Sequence, residues 1–254
     1  MSRSGVRVPD SALWQKQAGM SNSHFSFKQF TIKQERCAMK VGTDGCLLGA
    51  WTDISNCRNV LDVGCGSGLI AIMMAQRCNA RITGLEIDSE AAMQAAENVA
   101  QTPWKERIEI VNCNALSFAP QEQYDVIVSN PPFFSNSIRN KESKRAMARH
   151  DDTLPCAQLM DFAKRTLTDN GHLSVVIPSD QTEAWCNEAI FKGLSARRIS
   201  YVRTLPHKPI KRALIEFVKG AYPVPCTDEI IIENRPGEYS DDIKKLLGDF
   251  YMNL

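Results

Sequence analysis

The 254-residue sequence has no apolar run approaching the ~18–20 residues that a bilayer-crossing helix needs. Its first thirty residues lack the apolar core and small-residue cleavage site of a signal peptide. Also missing is any C-x-x-C pair, since the nine cysteines stand singly at 37, 46, 57, 65, 78, 113, 156, 186 and 226. An odd number of scattered thiols, several inside apolar stretches such as Cys65 and Cys113, reads as reduced, buried small hydrophobes. That excludes a disulfide scaffold and points to the cytosol. The four histidines, His24, His150, His172 and His207, have no metal-ligand spacing, so no metal is expected. No Ser/His/Asp or Cys/His arrangement marks a covalent hydrolase. Internal repeats and low-complexity linkers are absent too. Charged residues at 23% against 43% hydrophobic ones exclude wholesale disorder and suit a globular chain.

A large charge of either sign is likewise absent: the net is +1. The distribution is uneven, however. Residues 1–40 hold seven Lys/Arg against two acids, 139–150 five against one, and 197–219 seven against Glu216 alone. The tail 228–254 reverses the sign, with seven acids and three bases. Three basic blocks either form one positive face toward a polyanion or remain three separate solvated surfaces.

Residues 1–24 read as a flexible lead-in of Gly, Ser, Pro and Asn, and 25–254 as one domain. From position 59, short β-branched runs alternate with helical ones. Strands are expected at 59–63, 81–87, 108–111, 124–129 and 172–177. The helices between them begin at Leu69, at Ser89 (as N-cap) and near 155, the last stopping at Asn170-Gly171. A helix near 180–193 and two late strands near 197–204 and 212–218 follow, the pair joined by a Pro-rich turn as an antiparallel hairpin. The predicted fold is α/β: a doubly wound, seven-stranded, mostly parallel sheet ending in that hairpin, Rossmann-like.

The first strand runs into Gly64-x-Gly66-x-Gly68, shorter than the dinucleotide fingerprint. Such a turn brings backbone close to a ligand, or serves only helix–strand packing. Asp62 precedes it, and Glu86 ends the second strand, where a carboxylate accepts both hydrogen bonds of a ribose diol. Asn114-Ala115 closes the third strand, where an amide meets an adenine edge. A close backbone approach, an acid near a positive group and an acid for ribose, without a phosphate site, fit S-adenosylmethionine better than NAD.

The fourth strand runs into Asn130-Pro131-Pro132-Phe133. Proline ends the strand, leaving Asn130 at the carboxyl edge where doubly wound sheets bind ligands. The Asn130 side-chain oxygen and the Pro131 carbonyl suit the two N–H groups of a planar amine. Phe133 offers a face for stacking.

Together these motifs resemble the class I methyltransferases that modify planar nitrogens. A more specific resemblance rests on Phe27-Lys-Gln-Phe30, Cys37-Ala-Met-Lys-Val-Gly-Thr-Asp-Gly45 and Leu47-Leu-Gly-Ala-Trp51. Arg149-His150, Pro206-His207-Lys208 and Phe250-Tyr251 extend it. These look like the bacterial tRNA (adenine-N6) methyltransferase family, which acts on adenosine 37 of a valine tRNA, and the likeness spans about residues 25–254. It implies a class I methyltransferase acting on tRNA; from the sequence itself no membrane and no metal partner are expected, and a monomer is the expectation. It also implies that residues 40–45 close over the cofactor, with contacts from Thr43, Asp44 and Gly45. Two positions depart from the pattern: Phe133 stands where tyrosine is usual, and Asn114 replaces the commoner aspartate.

Arg139, Lys141, Lys144, Arg145 and Arg149, in the loop after the catalytic strand, and Lys208, Lys211 and Arg212, in the late hairpin's turn, are the candidate RNA contacts. Asn-Pro-Pro-Phe also occurs in ribosomal guanine-N2 methyltransferases, the principal alternative. A release-factor glutamine methyltransferase or a DNA adenine methyltransferase would need a larger recognition domain. A silent RNA-binding module would show degraded motifs, which this chain does not.

Overall fold

The structure is a computed structural model and describes residues 23–132, 154–252 and 254. Its centre is an eight-stranded sheet built around β3, Asn59–Val63, whose last four residues are all buried. An apolar run of this kind needs cover on both faces, as a parallel sheet provides. On one side of β3 lie β4 (Arg81–Glu86) and β5 (Ile108–Asn112), both parallel. On the other lie β6 (Tyr124–Ser129) and β7 (Leu167–Pro178), also parallel. Next comes β9 (Ile210–Lys219), antiparallel to both β7 and β8 (Leu194–Arg203). These seven strands form the expected doubly wound sheet with its terminal hairpin. An eighth, β10 (Cys226–Ile231), lies parallel to β8 at the edge. Four of its six residues are exposed, so it carries no alternation that a sequence pattern could reveal.

Helices cover both faces. One layer holds α1 (Thr43–Trp51) and α2 (Leu69–Arg77), with Phe27, Phe30 and Phe250 in the same core. The other holds α4 (Cys156–Thr166) and α5 (Thr182–Lys192) over Phe162, Trp185 and Phe217. Between them in sequence, α3 (Ser89–Ala100) is capped by Asp88, whose carboxylate accepts the Ala91 N–H at 2.8 Å. The cap is therefore Asp88 and not Ser89, which occupies the first helical position.

A second boundary differs. The helix expected to run to Asn170-Gly171 ends at Thr166, and the chain enters β7 directly at Leu167. Gly171 serves the sheet instead. A Cβ there would lie 2.9 Å from the carbonyl oxygens of both Tyr124 and Asp125, beside the register shift between β6 and β7. Backbone crowding, not helix termination, requires the glycine.

The segments flanking the sheet meet. The hairpin of β1 (His24–Ser26) and β2 (Thr31–Lys33) stacks Phe27 on Phe30 at 4.5 Å and on Tyr251 at 5.7 Å between ring centroids. The Lys28 N–H donates to the Phe250 carbonyl at 2.8 Å. Before that point β11 (Glu233–Arg235), β12 (Glu238–Tyr239) and α6 (Asp241–Leu247) lead back from the edge strand. In this layer α1 packs tightly on α2, because a Cβ on Gly49 would come within 2.9 Å of the Met73 sulfur. That close approach carries the first turn of α1 to the carboxyl edge of the sheet.

Candidate active site

The strand order reverses between β3 and β6, the switch point at which open α/β sheets bind ligands. A cleft of about 260 Å³ opens there. Its walls are the glycine turn at Gly64 and Gly66, residues 86–88 after β4, 113–116 after β5, and 129–132 after β6. Residues 37–39, Val63, Leu85, Ala91, Leu154 and Gln158 also line it.

The turn adopts a backbone that side chains resist: φ is 73° at Gly64, 55° at Gly66 and 79° at Gly68. Left-handed geometry costs a non-glycine residue about 1–2 kcal/mol. At Gly64 and Gly66 an added Cβ would meet nothing within 4 Å, so the space beyond the backbone is open. The turn is held from β4, whose Leu85 carbonyl accepts the N–H groups of Gly64 and Cys65, both at 2.9 Å.

Glu86 fastens the turn a second time. Its Oε2 accepts the Gly66 N–H at 2.8 Å and its Oε1 the Asp88 N–H at 3.0 Å. An ionised carboxylate has about four acceptor positions, so each oxygen keeps one lone pair for a diol. Asn114 likewise binds locally, its Oδ1 accepting the Leu116 N–H at 2.9 Å while the residue lines the cleft beside Ala115.

Asp62 stands behind the cleft and not in its wall. It is fully buried, and its Oδ2 accepts the Ala71 N–H at 3.1 Å, at the start of α2. Gly68, the N-cap of that helix, supplies no side-chain bond, so Asp62 takes over an unpaired donor of the first turn. Its Oδ1 is buried without a partner among the described residues. Burial drives its pKa up to about 7, the Ala71 N–H opposes the rise, and the Glu86 charge adds to it. Asp62 is thus a positioning residue for the glycine turn.

Asn130 closes the cleft at the end of β6. Its side-chain oxygen is buried and has no hydrogen-bond partner among the described residues. An amide oxygen held dry and unpaired costs about 1–3 kcal/mol, which a donor arriving in the cleft recovers. Ser129 is fixed by a bond to the Val63 carbonyl at 2.9 Å, tying the catalytic strand to the glycine strand. Pro131 is buried and Pro132 exposed. A Cβ on Gly45 would lie 3.8 Å from the Asn130 amide nitrogen, so the first turn of α1 backs this residue. The cleft thiols do not supply a nucleophile: burial raises Cys37 to about 11 and shifts Cys113 upward as well.

Of the residues singled out in the sequence, Gly64, Gly66, Glu86, Asn114, Ala115, Asn130, Pro131 and Pro132 meet in one cleft. Gly45 touches it from behind, and Gly68 turns toward Ala95 instead. Thr43 and Asp44 lie on the far side of α1, in a separate groove with Lys208, Lys211 and Arg212. There the Asp44 carboxylate accepts the Arg212 Nε–H at 2.7 Å, so it is engaged away from the cofactor cleft. Phe133, Arg139, Lys141, Lys144, Arg145 and Arg149 lie outside the described residues. Sequence reasoning does not place residues 37–39 in the cleft wall, where the structure puts them. The signal was the same Cys-Ala-Met-Lys motif, but the part facing the cleft precedes Lys40.

The open backbone of the turn, the spare lone pairs of Glu86 and the unpaired amide oxygen fit S-adenosylmethionine, which Gly64, Gly66 and Glu86 would hold. The family model for the methyltransferase small domain matches residues 45–196. The fold is shared with a predicted O-methyltransferase from Agrobacterium tumefaciens, with a TM-score of 0.59 at 20% identity over 84% of this chain and 100% of that one. The chain is an S-adenosylmethionine-dependent methyltransferase of the class I, Rossmann-like type. Among sequence relatives, a protein of Phocaeicola vulgatus is 44% identical over 92% of this chain and its own whole length. One of Bacteroides fragilis is 43% identical over the same shares. Both are named tRNA1(Val) (adenine(37)-N6)-methyltransferase, and this chain belongs to that family.

Proposed function

We propose that this enzyme transfers a methyl group to the exocyclic N6 amine of adenosine 37 in a valine tRNA. The buried, unpaired Asn130 oxygen carries the reading, because it is an acceptor waiting for a donor at the carboxyl edge of β6. The relatives' names supply the substrate. When bound, S-adenosylmethionine supplies an electrophilic methyl on a cationic sulfur. Gly64 and Gly66 allow its close approach, and Glu86 accepts from its ribose.

An adenine amine is a poor nucleophile because its lone pair is delocalised into the ring. The Asn130 oxygen accepts one of its N–H groups and the Pro131 carbonyl the other, which turns the lone pair toward the cofactor side. This is positioning and polarisation by fixed dipoles. Phe133 supplies the stacking face. The product nitrogen sheds its surplus proton to water, so no strong base is required.

A cleft in the sheet edge is too deep for a stacked base, so the target must leave its stack at a cost of a few kcal/mol. An anticodon loop reduces that cost because its bases are unpaired. Arg139, Lys141, Lys144, Arg145 and Arg149 on one side, and Lys208, Lys211 and Arg212 on the other, grip the phosphates. Residues 25–254 act as one domain, an assignment supported by the packing of Phe27 against Tyr251. The chain is read as acting as a monomer. Nine unpaired thiols suit the cytoplasm; among the described residues no helix is long and apolar enough to cross a membrane.

The test is methyl transfer onto purified valine tRNA, with ribosomal RNA and DNA offered in parallel. N6-methyladenosine in the tRNA alone supports the reading. Methylated guanine in ribosomal RNA, with tRNA inert, would favour the guanine-N2 alternative that Asn-Pro-Pro-Phe also allows.

A further inference from the structure

The groove on the far side of α1 has a volume of about 990 Å³, at the upper end of the ~300–1,000 Å³ range of small-ligand sites. Distant segments build it: the first turn of α1, the turn between β8 and β9, the β11–β12 hairpin, and α6 with Tyr251 beyond it. The hairpin is well fixed. It turns at Gly237, where φ is 84°, and an Arg235–Glu238 ion pair closes it. The N–H of Ser240, which follows β12, donates to the Ile232 carbonyl at 3.0 Å. Tyr239, half-buried and packed on one side against the core of α1 and α6, thereby takes its place in the groove lining with Leu205 and Pro236.

The charges in the groove are asymmetric. Asp44 is neutralised by Arg212 at 2.7 Å. Glu233 accepts the Gly237 N–H at 3.3 Å as part of the hairpin. Lys208 and Lys211 are exposed and make no ion pair among the described residues. An aromatic face beside two uncommitted ammonium groups complements a base and its phosphate. The groove also adjoins the reaction centre: Thr43 and Asp44 line it, while Gly45 in the same helical turn backs Asn130.

The geometry points to a subsite for the nucleotide adjacent to the target. Its base stacks on Tyr239, and its phosphate sits between Lys208 and Lys211. The inference rests on the reading of RNA as substrate and adds to it the element that recognises the target's neighbour. Stacking of this kind is sequence-tolerant, so the subsite holds the extruded strand in place without dictating the neighbour's identity.

Three anticodon stem-loop RNAs test it: one intact, one abasic on the 5′ side of the target adenosine, and one abasic on the 3′ side. One of the abasic RNAs is expected to bind the wild-type enzyme on the order of tenfold more weakly than the intact RNA. Tyr239→Ala should bind the intact RNA weakly by the same factor and no longer distinguish the two. Calorimetric cofactor binding reports whether the variant is folded, and Tyr239→Leu replaces it if it is not. Equal binding of all three RNAs by the wild type would overturn the subsite. So would an abasic penalty that persists in Tyr239→Ala, or its loss in favour of a protein or free-nucleotide ligand that competes at the groove. Either result leaves adenine methylation standing. Absence of methyl transfer to the intact stem-loop would instead defeat the functional reading, and the subsite with it.

Discussion

The cleft and the groove lie on opposite sides of one turn of α1, yet they are built in opposite ways. The cleft is assembled from strand ends, each carrying a compact motif whose polar side chains fix its own turn or the neighbouring strand end. Glu86 holds Gly66 and Asp88, Asn114 holds Leu116, and Ser129 holds Val63. The groove joins residues more than two hundred positions apart, from Thr43 to Tyr251, with few motifs of its own. The chemistry needs sub-ångström placement and sits on rigid strand ends. The grip on substrate proposed for the groove tolerates looser geometry, and its residues come from turns and a hairpin.

If this division is right, variants in the two regions affect different steps. The largest effect is expected at Asn130→Ala, which removes the acceptor for the target amine. The single-turnover methyl-transfer rate should fall by about 10²–10³-fold, by analogy with loss of one preorganised hydrogen-bonding group, while cofactor affinity stays near wild type. An unaltered rate would place the chemistry elsewhere.

Next come the two cofactor holders. Glu86→Ala loses charge-assisted hydrogen bonds worth roughly 1.5–3 kcal/mol each, so calorimetry should show cofactor binding weakened tenfold or more. Gly66→Ala combines a left-handed backbone strain of about 1–2 kcal/mol with a Cβ projecting into open cleft space. It should match or exceed the loss at Glu86. Equal cofactor affinity in both variants and the wild type would mean that the turn serves only packing.

A smaller, salt-dependent effect is expected in the groove. The double substitution Lys208→Ala with Lys211→Ala should reduce the slope of log Kd for tRNA against log salt by roughly 1.4–1.8, from ~0.7–0.9 per phosphate. An unchanged slope would separate the groove from the RNA.

The smallest effect concerns Asp62. Its folded pKa is raised to about 7, above the ~3.9 of an unfolded aspartate, so the folded state binds the extra proton between those values. Stability is favoured below pH 4 and declines as pH rises toward 7. Asp62→Asn keeps the acceptor for Ala71 and should flatten that part of the profile in thermal unfolding. A slope unchanged by the substitution would assign the proton to another group.

The same contrast explains how much was legible in the sequence. Motifs at strand ends announce themselves, because a glycine turn followed by a helix and an Asn-Pro-Pro after a strand can mean few things. Seven strands and the cleft residues from Gly64 to Pro132 were readable on that basis. The edge strand β10 was not, because its Cys-Thr-Asp-Glu start faces solvent and mimics a loop. Asn170-Gly171 misled because a glycine demanded by sheet crowding looks the same in sequence as one that ends a helix. Thr43 and Asp44 went to the wrong side of α1 because the helix turns its Gly45 face, not theirs, toward Asn130. Tyr239 had no local signal at all, since only tertiary folding brings it to Lys208.

Asn130 and its cleft are expected to act on an adenine amine delivered by a tRNA loop. Nucleoside mass spectrometry of valine tRNA incubated with the enzyme and S-adenosylmethionine tests it most directly, comparing natural RNA with a transcript carrying guanosine at position 37. One N6-methyladenosine in the natural RNA and no methylated nucleoside in the guanosine transcript is the predicted result; N2-methylguanosine, or N6-methyladenosine formed equally in both, would contradict it.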